Sequence, residues 1–203
     1  AAKPVSATRM RAFAPLPFKL DDEEEEEFTV KVATESIRPL ERMMTSEYCD
    51  IQLEGAQAMA GLFLRTSIKE TCTYAQVDGL MDSISKVARE SGGHISRCAV
   101  MCIRAFAEAA APIQQKIVDT AALEALVTLA QGGESVLIET QRQAVCGLVA
   151  MSHTHSANIM ALGTQEMLDN LSSAAEDDER LSDMFEKLKE AFARATAASS
   201  DSQ

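Results

Sequence analysis

From Ser36 onward, apolar residues recur three and four apart almost without interruption. That is the period of α-helices with one buried face. The pattern also repeats at longer range. Gly79, Ile84 and Val87 are followed 42 residues later by Ala121, Leu126 and Leu129, and 42 later again by Gly163, Leu168 and Leu171. In each copy a small residue precedes two apolar positions that share a helix face. The small residue falls where one helix ends and the next begins at close quarters, a place for Gly or Ala. A second series runs beside the first. Gly55, Met59 and Leu62 are matched 44 residues on by Ala99, Ile103 and Phe106, and 45 further on by Ala144, Leu148 and Met151. Leu181, Phe185 and Leu188 keep the same spacing after a shorter connection. The unequal offsets place length variation in loops, two of them marked by Gly92-Gly93 and Gly132-Gly133.

A short third helix precedes each small residue of the first series. The clearest opens at Ala111-Pro112, with Ile113, Ile117 and Val118 apolar; proline suits a first helical turn. Ile159 and Met160 take the places of Ile117 and Val118 one period later. The pattern predicts helices over 36–46, 50–66, 70–76, 79–90, 95–110, 112–119, 121–131, 136–152, 156–161, 164–175 and 178–196. One three-helix unit cannot bury its apolar faces alone, so the units must stack, with atypical units as caps. Helix 178–196 reads as a cap. Leu181, Phe185, Leu188 and Phe192 share one face, and Asp177, Asp178 and Glu179 stand at its N-terminus, where the dipole favours negative charge.

Short, middle and long helices at a period near 42 residues resemble the armadillo repeat. Residues 117–130, Ile-Val-Asp-Thr-Ala-Ala-Leu-Glu-Ala-Leu-Val-Thr-Leu-Ala, are close to that family's second helix, and residues 51–62 look like its third. The resemblance spans residues 36–195 as one partial repeat, two complete repeats and a degenerate C-terminal one; the two-helix HEAT repeat is its nearest relation. It implies an all-α fold, a right-handed α-solenoid of about three to four repeats. The chain divides into an extended N-terminal arm (1–35), the repeat domain (36–196) and a polar tail (197–203).

Composition sharpens this picture at the arm. Residues 1–20 carry Lys3, Arg9, Arg11 and Lys19 and no acid, with Pro4, Pro15 and Pro17 opposing helix; residues 21–27 are seven consecutive acids. Such a run reads either as a solvated stretch or as an acidic clamp for a basic partner surface. The whole chain has a net charge of −12, which repels phosphate backbones, so no nucleic-acid partner is expected. With no tryptophan and 4% aromatic residues, it offers little platform for base stacking. No apolar run reaches the length of a membrane span. Five cysteines without regular spacing fit a reducing, intracellular compartment better than a disulfide framework. The sequence opens on Ala1, which reads either as removal of an initiator methionine or as the basic remnant of a cleaved targeting peptide. The second, with a mitochondrial or plastid location, is preferred over the cytoplasm.

No catalytic motif is found. The chain lacks a Walker A loop, Gly-x-Gly-x-x-Gly, Gly-x-Ser-x-Gly and His-Glu-x-x-His. Neither Gly-Gly pair is followed by the Lys-Ser/Thr of a phosphate cradle. His94, Cys98 and Cys102 at i, i+4, i+8 lack a fourth ligand and read as ordinary packed residues. His153-Thr154-His155 closes a long helix, where histidine caps carbonyls. The methionines read mostly as core fillers, with Met101 off its stripe. No enzyme activity, cofactor, metal or small-molecule substrate is therefore expected.

In the resembling family the third helices line a concave groove for extended peptides, some through a ladder of asparagines. Here those positions are Gly61, Ala105 and Ala150, so nuclear-import-type or cadherin-type binding is not expected. The off-stripe positions form three trios: Gln57, Gly61 and Arg65; Met101, Ala105 and Glu108; Cys146, Ala150 and His153. Stacked repeats would bring them side by side as one strip with a small-residue centre. The expected function is that of a non-catalytic protein-interaction scaffold, an accessory or structural subunit of a larger assembly; the alternative is a regulatory adaptor that binds a peptide or helix in the groove.

Overall fold

The computed structural model describes residues 31–200 apart from Thr164, with side chains described through Ala197. The basic segment, the acidic run and the end of the polar tail lie outside the described residues. After a turn of 3-10 helix at Thr34–Ser36 come α1 (Ile37–Met44), α2 (Cys49–Phe63), α3 (Ile68–Tyr74), α4 (Leu80–Glu90) and α5 (Gly93–Ala107). They are followed by α6 (Ala111–Val118), α7 (Ala122–Gln131), α8 (Ile138–Leu162), α9 (Gln165–Glu176) and α10 (Glu179–Ser200). Among the described residues there is no strand.

The helices form two layers. The long helices α2, α5, α8 and α10 pack side by side in chain order, and α1, α4, α7 and α9 make the second layer behind them. The short helices α3 and α6 link each long helix to the next middle one. Both apolar series are the seam between layers: Ile84, Leu126 and Leu171 of the first are fully buried, as are Met59, Ala99, Ile103, Phe106, Ala144, Leu148, Met151, Leu181 and Leu188 of the second, but Leu168, the counterpart of Ile84 and Leu126, is half-buried and its neighbour Met167 fills the core there. Each such fully buried leucine, isoleucine, methionine or phenylalanine contributes about 1.5–3 kcal/mol by leaving water. This is an armadillo-like α-solenoid, with the partial first repeat, two complete repeats and modified last repeat that the periodicity predicts.

Neighbouring repeats are stitched by bonds between residues about one period apart. Val32 N–H donates to Tyr74 Oη at 2.9 Å, and that hydroxyl donates back to the Val32 carbonyl at 2.9 Å. Ser83 Oγ donates to Glu41 at 2.7 Å, Lys116 Nζ to the Ala75 carbonyl at 2.6 Å, and Arg104 to Gln143 at 2.9 Å. Each of these bonds joins adjacent units, as in a one-dimensional stack. Within repeats a second device recurs. Ser96 Oγ donates to the Ala88 carbonyl at 2.7 Å, and Gln141 Nε2 to the Ala130 carbonyl at 3.0 Å, each tying the start of a long helix to the last turn of the middle helix.

Two local features differ from the expected pattern. The helices expected at 136–152 and 156–161 are one element, α8, that bends at His155 (φ −127°, ψ 25°). Just before the bend, Ser152 Oγ bonds the Val149 carbonyl at 2.8 Å and Thr154 Oγ1 the Met151 carbonyl at 3.3 Å. Hydroxyls that bond back to helix carbonyls bend the helix. The small residues of the first series also serve different ends. Gly79 has φ 72° and open space around a built Cβ, so it is needed for its backbone; a Cβ on Gly163 would lie 2.9 Å from Met167 Cε. At the last joint Asp178 caps α10. Its Oδ1 accepts the Arg180 and Leu181 N–H groups, both at 3.1 Å, and its Oδ2 accepts Arg142 Nε at 2.7 Å. The Arg142 bond and these N–H groups hold the Asp178 carboxyl below its ordinary value.

Candidate protein-binding surface

The central long helix α5 is covered on both flanks, by α2 and α8, and behind by α4. Its remaining face is a single stripe at spacings of three and four: His94, Arg97, Cys98, Met101, Arg104, Ala105 and Glu108, each half-buried or exposed. All nine positions of the expected strip lie outside the buried core. Gln57, Arg65, Glu108 and His153 are exposed, and Gly61, Met101, Ala105, Cys146 and Ala150 are half-buried.

They do not form one uniform surface. Gln57, Gly61 and Met101 share a cleft of about 260 Å³ between α2 and α5, which Leu64, His94, Arg97 and Cys98 complete. A Cβ on Gly61 would meet nothing within 4 Å, so the cleft floor is open there. The second and third trios meet through Arg104, whose Nε donates to Glu108 at 2.6 Å while its Nη1 reaches Gln143 of α8. Cys146 turns partly away toward the cap, its Sγ packed against Met184 Sδ of α10. Burial pushes the Cys146 thiol up, Arg104 and Lys187 pull it down, and Glu108 adds to the rise. His153 opens on a separate cleft, with Ser152, Ser156, Ala191, Arg194 and Ala195 between α8 and α10. The Ala150 carbonyl accepts Gln114 Nε2 of α6 at 3.3 Å.

Leu64, His94, Arg97 and Arg104 were not among the nine. The i+3/i+4 continuation of the Met101 face along α5 would have found the last three, and Leu64 follows Gly61 by the same step on α2. Arg97 stands out: its Nε is buried without a hydrogen-bond acceptor. Beside it the Cys98 thiol is pushed up by burial, with Arg97 opposing. Cys102, one turn on, is fully buried in the core, so it does not converge with exposed His94. Met44, Met59, Met81, Met151 and Met167 are buried in the core, whereas Met160 is 40% exposed. Among the described residues no three His, Cys, Asp or Glu side chains are grouped to hold a metal ion, and no helix is long and apolar enough to cross a membrane.

No family model and no curated protein matches the sequence. The structure has clear likenesses. A crystal structure of an engineered protein from the Northeast Structural Genomics Consortium superimposes with a TM-score of 0.67 over 79% of this chain at 16% identity. A second engineered protein from that consortium gives 0.64 over 77% at 18% identity. This chain spans 63% of the first and 37% of the second, less than two thirds of either. A designed armadillo repeat protein in complex with the peptide (KR)4 gives 0.58 at 15% identity, covering 78% of this chain and 82% of that one. At such identities the likeness establishes the fold: an armadillo-like repeat solenoid.

Proposed function

We propose that this chain is a non-catalytic protein-interaction scaffold, an accessory or structural subunit of a larger assembly, whose partner lies along the strip of Gln57, Gly61, Arg65, Met101, Ala105, Glu108, Cys146, Ala150 and His153. The observation that carries this reading is the open, small centre of the strip. A side chain built at Gly61 meets no neighbour, and Ala105 and Ala150 are half-buried. A partner backbone can approach closely there, and a few flanking anchors such as Met101 and Arg97 can set the affinity. The charge of −12 supports a protein partner over nucleic acid, and the unpaired cysteines support a reducing compartment.

A regulatory adaptor that holds a peptide transiently is the second reading, favoured by the peptide on the designed armadillo neighbour. Fixed partner stoichiometry after gentle purification supports the subunit, and substoichiometric recovery supports the adaptor. The test of the strip is Ala105→Glu, which adds bulk and charge to a surface built small. Native pull-down with mass spectrometry should recover the partner with the parent chain and lose it with the variant, while the helical circular dichroism is kept. Full retention of the partner would move the interface off the strip.

A further inference from the structure

We infer that the acidic run, residues 21–27, docks in the same chain across the cleft between α2 and α5, its carboxylates on Arg97 and Arg65. The inference rests on the strip being a docking surface, as proposed above.

The cleft asks for an anion. Arg38, Arg89, Arg104 and Arg142 each have a carboxylate partner. Arg97 has none among the described residues, and its Nε is buried without an acceptor. That Nε is shut off from the surface, so a docked carboxylate pairs instead with the rest of the half-buried guanidinium that lines the cleft, its natural complement. Arg65, at the end of α2, is exposed and likewise lacks an ion pair. Along the strip Arg65, Arg97 and Arg104 face a single acid, Glu108, in a chain whose net charge is −12. The strip is thus locally basic on an acidic molecule.

The run is tethered where it can reach. Val32 is held on both its N–H and its carbonyl by Tyr74, and Lys31 pairs with Glu70 at 3.7 Å. The Tyr74 ring lies 6.2 Å from that of Phe63, and the next residue, Leu64, lines the cleft. Glu27 lies five positions before Val32, a reach of about 17 Å when extended. The cleft wall from His94 to Met101 is only about 10 Å long at helical rise. Phe28, Val30 and Val32 alternate with polar residues, the pattern of an extended segment with one apolar side. Leu64 and Ile68, each 62% exposed, offer that side an apolar rim. A short tether gives an effective concentration on the order of millimolar, so a weak ionic contact suffices.

The test uses the whole chain and a glutamate-specific protease, with cleavage after Glu23 to Glu27 followed by mass spectrometry. At low salt the run should be cut slowly. Arg97→Gln should speed cutting about fivefold or more, as should about 1 M NaCl, where the screening length falls to roughly 3 Å. Arg89→Gln, on the far layer, should leave the rate unchanged. Equal rates for the parent and a folded Arg97→Gln, or salt-sensitive protection that survives Arg97→Gln, would overturn the inference. A second measurement leaves the folded body untouched. Neutralising residues 21–27 to Asn and Gln should raise maleimide labelling of Cys98 several-fold relative to exposed Cys49. An unchanged labelling ratio would also overturn it. Neither readout involves a partner, so a failed Ala105→Glu experiment is separable from a failed docking.

Discussion

Gly55 and Gly61 lie six residues apart on α2 and are small for opposite reasons. A Cβ on Gly55 would stand 2.4 Å from the Met44 backbone nitrogen and 2.6 Å from the Met43 carbonyl carbon, because α1 crosses α2 there. A Cβ on Gly61 would meet nothing. The first belongs to the seam between layers, where smallness is a packing requirement. The second belongs to the outer face of the long-helix layer, where no fold requirement explains it. The contrast extends to α8, where a Cβ on Gly147 would press to 3.2 Å from both Leu126 methyls, while Ala150, three residues on, is half-buried at the strip. Small residues on the seam report the fold, and small residues on the outer face report what it leaves room for.

The largest expected effect lies on the seam. Leu126 is fully buried and seated against Gly147. Leu126→Ala should cost about 2–5 kcal/mol, a fall in melting temperature of about 5–15 °C for a chain of this size. Nearest-neighbour stacking should spread the loss to both flanking repeats, visible as reduced amide protection in α4 and α9 by hydrogen exchange. An unchanged melting temperature would place Leu126 outside the core. Gly55→Ala should follow, at about 1–3 kcal/mol, because the clash is with backbone that must move. Its damage should fall mainly on α1 and α2, whose crossing it forces apart.

A smaller effect is expected at the cap joint, where charge replaces close packing. Asp178 has its pKa lowered, first by the Arg142 hydrogen bond and then by the Leu181 N–H. A depressed folded value means the stabilisation is complete above the ordinary carboxylate range and is lost as the pH falls through the folded value. Asp178→Ala should lower the melting temperature by on the order of 5 °C near neutral pH. The difference from the parent should shrink below pH 4, as the parent protonates. A difference that stays constant down to pH 2 would show that the carboxylate charge contributes nothing at this joint.

The seam was legible in the sequence because burial imposes a period. Val87, Leu129 and Leu171 stand at matching places in successive repeats and are all buried, and one helical wheel per repeat finds them. The bend at His155 was half legible: the period that matches Ile159 and Met160 to Ile117 and Val118 placed a break between two helices there, but the structure carries one helix through it with a bend. The cleft was the least legible part. That Gln57, Gly61 and Met101 come together followed from the register of α2 against α5. That Arg97 joins them with its Nε unsatisfied did not, because an arginine's partner is set by which carboxylates surround it in space. The opening of His153 on a cleft of its own, apart from Gln57, Gly61 and Met101, was likewise invisible, since it depends on how α10 lies along α8.

The smallest effect is the sharpest test of the contrast. Gly61 sits inside a regular helix, where glycine costs about 0.5–1 kcal/mol relative to alanine through the freedom of the unfolded chain. Its α2 neighbours Ala60 and Leu62 are buried, yet its own Cβ direction is open. Gly61→Ala should therefore stabilise the isolated chain, raising the melting temperature by about 2–4 °C, the opposite sign to Gly55→Ala on the same helix. Thermal melts of the two variants side by side decide it. A fall for Gly61→Ala would mean that the position is packed and the strip closed. A rise accompanied by weaker partner capture would mean that glycine is kept there against the interest of stability, for the close approach of another chain.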